Sequence, residues 1–102
     1  MCRLDAILSG TGVCALIGGR QVAVFRVGDD AYAVDNRDPF TDAQVLSRGL
    51  VSVRGGVLAV ASPLLKHRFA LATGECVDDP SRRVASWPCR VEDGVVEVLI
   101  DR

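Results

Sequence analysis

Long apolar runs are missing from this 102-residue chain. The stretch from Val57 to Ala61 is among the longest, whereas a bilayer-spanning helix needs about 20 residues. A membrane-spanning helix is therefore excluded. An excess of one charge is missing as well: 12 Lys and Arg stand against 13 Asp and Glu, a formal net charge of -1. Such a chain has no electrostatic footprint for gripping a phosphate backbone, which excludes nucleic acid as a partner. Histidine occurs once, so any His-based nucleophilic scheme must use His67. Lys66 and Arg68 on either side of it oppose protonation of the imidazole, and the residue is expected at a surface or partner contact instead. Four cysteines, Cys2, Cys14, Cys76 and Cys89, lie scattered without a Cys-x-x-Cys pair. They form neither a zinc knuckle nor a disulfide framework, and the expectation is free buried thiols. A zinc site built from them and His67 would need ligands converging from distant strands. The glycines Gly10, Gly12, Gly18 and Gly19 neither open a helix nor precede a Gly-Lys-Ser/Thr ending, so there is no phosphate loop. Asp29-Asp30 and Asp78-Asp79 are expected as solvated turn residues with no apolar neighbours to raise a carboxyl pKa. Asp5 interrupts the apolar stretch a secretory signal would need after its basic start, so a cytoplasmic location is expected.

What is present is ordinary globular composition, 49% hydrophobic and 25% charged, over a length that suits one domain spanning residues 1–102. Short Val-rich runs alternate with turn signals, the mark of an all-β barrel or sandwich. The pattern predicts a hairpin from Gly12–Ile17 and Gln21–Val27 across Gly18-Gly19. A turn at 28–30 leads into a strand over Ala31–Val34, and a polar loop follows over 35–41. One helical turn is expected over Asp42–Leu46 with Thr41 as its N-cap. A second hairpin joins Leu50–Val53 to Val57–Ala61, and a third joins Phe69–Ala72 to Glu75–Val77 across Thr73-Gly74. A fourth joins Trp87–Val91 to Val95–Ile100, with burial on both faces of its strands. Trp87 is expected either in the core or as an interface anchor.

Two Pro-containing loops stand out, AVDNRDPF (residues 33–40) and SPLLKHRF (residues 62–69), each after a strand and separated by a hairpin. Their order resembles the two cluster-binding loops of Rieske proteins, in which the first loop carries Cys-x-His and the second Cys-x-x-His. The Arg68-Phe69 pair and the Thr73-Gly74-Glu75 turn also match that scaffold. The resemblance implies an antiparallel Rieske-like (ISP-type) β-sandwich or barrel. At the ligand positions, however, stand Asp38 and Ser62 for the cysteines and Phe40 and Leu65 for the histidines. A Rieske centre needs two thiolates on one iron and two imidazoles on the other. Phe and Leu donate no lone pair, a hydroxyl is far harder to ionise than a thiol, and one carboxylate cannot hold two irons. No cluster and no catalytic residue are therefore expected on this chain. The apolar replacements are expected to pack the two loops against each other, with about 1.5–3 kcal/mol for each large side chain buried.

Over nearly its whole length the chain is similar to the small subunits of assimilatory NADH-dependent nitrite reductases, a Rieske-like family that has lost its cluster ligands. Asp-Pro-Phe at 38–40, VLSRGLV at 45–51, GECVDDP at 74–80 and WPCRVEDGVVEV at 87–98 carry that resemblance. Members have several more residues before the segment that 2–5 resembles, which implies a first strand trimmed here at a sheet edge. The resemblance implies an accessory chain in the reduction of nitrite to ammonium for nitrate assimilation. Its partner would be the large subunit, on which FAD, an iron-sulfur cluster and siroheme reside in that family. Lys66, His67 and Arg68 are then either a docking tip for that subunit or a solvated basic loop. Two other readings stay open: a free-standing Rieske-fold interaction or regulatory module, and an electron-shuttling Rieske ferredoxin.

Overall fold

Pairs of glycines begin the architecture. Gly18 and Gly19 hold φ of 59° and 80°, the double left-handed geometry of a tight hairpin turn whose twist matches its strands. The computed structural model, which describes residues 2–99, accordingly pairs β2 (Thr11–Ile17) with β3 (Arg20–Val27) in the register Thr11↔Arg26 to Ile17↔Arg20. β4 (Asp30–Asp35) continues that sheet, and β8 (Ser86–Trp87) completes it in the order β2-β3-β4-β8. Gly55 and Gly56 make the same kind of turn between β5 (Leu50–Arg54) and β6 (Val57–Ala61). With β7 (Arg68–Ala70) these form a second sheet, β5-β6-β7. A third, β1-β10-β9, joins β1 (Cys2–Arg3), β9 (Cys89–Glu92) and β10 (Val95–Val98).

β3 explains how the sheets share an interior. Its side chains alternate between faces, and both faces are buried. Ala23 and Phe25 enter one core with Val34, Leu46, Val60, Phe69 and Leu71. Val22 and Val24 enter another with Leu4, Ile7, Ala33, Val96 and Val98. The four-stranded sheet is thus a shared wall between two apolar cores, and the all-β architecture expected from the hairpin succession is the one observed.

Four local expectations need correction. The helical turn lies at Leu46–Arg48, a single turn of 3-10 helix. It is absent from 42–46 because Asp42 has φ 64°, outside the helical region, while Thr41 Oγ1 accepts from the Ala43 amide without capping a helix. Glu75–Val77 forms no strand: Phe69↔Cys76 and Glu75↔Arg83 are isolated bridges. Trp87 belongs to a separate strand beside β4, because Pro88 separates it from β9 and has no amide hydrogen for a ladder. The two-sided burial expected of the last hairpin falls on β3 instead, while β10 buries Val96 and Val98 from one face. Ile100, the expected end of that hairpin, lies outside the described residues. Trp87 itself is half-buried against the second core with the Arg20 guanidinium 5.5 Å from its ring centroid.

Candidate functional site

The loop after β4 and the loop after β6 meet at one end of the molecule, beyond the first core. Asn36 anchors the first. It is buried, its Oδ1 accepts from the Ser47 amide at 2.7 Å, and its side-chain amide reaches Gln21 Oε1 at 3.4 Å and Cys14 Sγ at 3.5 Å. Two residues on, Asp38 is fully buried, and its Oδ1 accepts from the Phe40 amide at 2.9 Å. Its backbone carbonyl accepts from Asp42 N at 2.7 Å, closing a tight loop. In the second loop Ser62 is equally buried; its amide donates to His67 O at 2.9 Å, and its carbonyl accepts from Lys66 N at 3.1 Å. Lys66 takes φ 65°, a conformation uncommon for a side-chain-bearing residue.

Asp38 and Ser62 join these two loops. The Ser62 hydroxyl donates to Asp38 Oδ2 in a short, fully buried hydrogen bond. Beside it the Phe40 ring stacks on the His67 imidazole, centroids 3.8 Å apart and planes within 10°. Phe69 lies 6.3 Å away from Phe40, and the Arg82 guanidinium 5.4 Å from the Phe40 ring. His67 Nδ1 is buried without a hydrogen-bond partner. The expectation that Phe40 and Leu65 pack the loops together is therefore half corrected. Phe40 does pack, but on His67, while Leu64 and Leu65 are 50% and 54% exposed. The reversal at Lys66 turns the leucines to solvent and returns His67 to the interior.

Nor do Lys66, His67 and Arg68 form one cationic cluster. Arg68 donates its backbone amide to Asp78 Oδ2 at 2.8 Å and its guanidinium to Oδ1 at 3.2 Å. The first of these bonds, then the second, holds the Asp78 carboxyl below its ordinary range. Lys66 alone is exposed, with no ion pair among the described residues.

The donor set does not fit a two-iron, two-sulfur cluster. Of the four positions expected to match its ligands, Phe40 and Leu65 carry hydrocarbon side chains, and Asp38 and Ser62 are hydrogen-bonded to each other. Among the described residues no group of three or more His, Cys, Asp or Glu is placed to hold a metal ion. The expectation of buried thiols is met by Cys76, in the first core, and corrected at Cys14, which is exposed on edge strand β2. The Asp38–Ser62 bond and the Asn36 anchor escaped sequence reasoning. A donor and an acceptor at matching loop positions were the signal for the former.

The chain matches the family model described as Rieske-like [2Fe-2S] domain over residues 1–99. It is 52% identical over 100 residues to the NADH nitrite reductase small subunit of Salmonella typhimurium, covering 96% of this chain and 93% of that one. It is 47% identical over 98 residues to part of the NAD(P)H nitrite reductase large subunit of Klebsiella oxytoca, covering 96% of this chain and 10% of that one. The solution structure of the Escherichia coli protein NirD superposes with a TM-score of 0.88 at 49% identity, covering 96% of this chain and 91% of that one.

Proposed function

The chain belongs to the Rieske-like [2Fe-2S] domain family and, within it, to the small subunits of NADH nitrite reductase, and from that premise we propose that it is an accessory subunit that docks on the large subunit. In this reading it serves the reduction of nitrite to ammonium in nitrate assimilation, in the cytoplasm, with no cluster or catalytic group of its own. NADH delivers two electrons as hydride while the nitrite reduction consumes six. The reaction therefore needs carriers that divide and accumulate electrons. FAD, an iron-sulfur cluster and siroheme on the large subunit would supply that chemistry. The loops of this chain offer a carboxyl, a hydroxyl and two hydrocarbons at the matching positions, none suited to electron transfer.

One observation carries the docking. A tenth of the Klebsiella large-subunit chain resembles nearly all of this one, which supports a domain that works in contact with the rest of that enzyme, whether joined to it or separate. No helix of the described residues is long and apolar enough to cross a membrane, in keeping with a partner met in solution. Lys66 and the exposed Leu64 and Leu65 would touch that partner, while His67 and Arg68 hold the loop in shape.

The test is NADH-driven nitrite consumption by the cofactor-loaded large subunit, alone and then titrated with this chain. A saturable rise in rate is expected. An unchanged rate together with no binding would overturn the accessory-subunit reading in favour of a free-standing interaction module.

A further inference from the structure

We propose that the outer face of the β5-β6-β7 sheet seats an extended segment of the large subunit carrying a bulky apolar side chain flanked by carboxylates; this rests on the accessory-subunit reading above. A groove of about 730 Å³ runs there between edge strand β5 and the second loop. Small residues, Ser52 on β5 and Ala61 on β6, lie along it, and Leu50 and Leu65, 75% and 54% exposed, flank it. Two exposed leucines converging on one groove are an apolar surface awaiting cover.

The charges around the groove select the occupant. Arg54 and Lys66 line it, both exposed and neither in an ion pair among the described residues. Arg68, also on its wall, is already matched by Asp78. Two unmatched cations beside an apolar patch, on a chain whose formal net charge is -1, favour an acidic, apolar ligand over a basic or neutral one. The shape favours a polypeptide: β5 is the outermost strand of its sheet, and such an edge receives an extended chain through backbone hydrogen bonds while the neighbouring groove takes its side chains.

Calorimetric titration of the holo large subunit with the intact chain and three variants tests this. The double reversal Arg54→Glu/Lys66→Glu is expected to weaken binding about tenfold or more, and Leu50→Ser to weaken it severalfold. Arg3→Glu, an exposed cation on β1 in the third sheet and outside the groove, is expected to stay within about twofold of the unaltered chain. Thermal unfolding of each variant checks the fold, and Arg54→Gln/Lys66→Gln replaces the reversal should Glu disturb it. Unaltered affinity in the groove variants, or an equal loss in Arg3→Glu, overturns the groove while leaving the accessory role in place. Failure of the unaltered chain to bind overturns both.

Discussion

Asp38 and Ser62 tie two loops together through one hydrogen bond between buried positions. Ser62→Ala removes the donor and leaves an acceptor oxygen of Asp38 facing protein interior. An unsatisfied buried polar group costs about 1–3 kcal/mol, well above the effect of an ordinary surface change. Urea unfolding should therefore show a loss of that size, and a midpoint indistinguishable from the unaltered chain would refute the bond's structural role. Both residues stood out in the sequence, since the loop motifs single out their positions. Their bond did not, and neither did the Phe40–His67 stack. That stack depends on the left-handed backbone at Lys66, which lysine does not advertise as glycine would.

Among the elements, hairpins were legible wherever glycine forced the turn, as at Gly18-Gly19 and Gly55-Gly56. The helical turn was misplaced because Asp42 adopts a left-handed conformation that closes the first loop instead of starting a helix. Gly49 does a different task. Its backbone is in the extended region, but a Cβ there would lie 2.3 Å from Ala61 O and 2.7 Å from Val60 Cγ2. The residue lets the end of the 3-10 turn lie directly on β6, just before the second loop. Gly49→Ala must push a backbone aside, and overpacking of this kind costs about 1–3 kcal/mol, readable as a lowered denaturation midpoint. A second link joins β7 to the segment after it, through the two hydrogen bonds from Arg68 to Asp78. Because the folded-state pKa of Asp78 is depressed, its contribution is present above the ordinary carboxyl pKa and is lost as pH falls through the depressed value. The Asp78 side chain is 38% exposed, so solvent screening keeps that contribution to about 0.2–1 kcal/mol. The stability gap between the unaltered chain and Asp78→Asn should be full near neutral pH and close in acid. A gap that widens as pH falls would contradict the assignment.

Over the whole molecule, composition and turn spacing disclosed an all-β architecture but not the division of its interior. The Val-Ala-Val-Phe run at 22–25 carries no polar position to mark a solvent face, and burial on both sides is the physical reason: Phe25 and Val24 enter opposite cores. Because β3 walls both, neither core can persist once β3 detaches. Removing a ring from one core should therefore be felt in the other. Phe25→Ala deletes a fully buried aromatic, at about 3–5 kcal/mol, a large part of the 5–15 kcal/mol typical of a domain. Trp87, the single tryptophan, packs against the second core and reports on it by fluorescence. In Phe25→Ala the fluorescence transition and the circular-dichroism transition should move together to lower urea and coincide, as in one cooperative unit. A fluorescence midpoint left at its original position while the circular-dichroism transition shifts would mean that the two cores unfold separately and that β3 does not couple them.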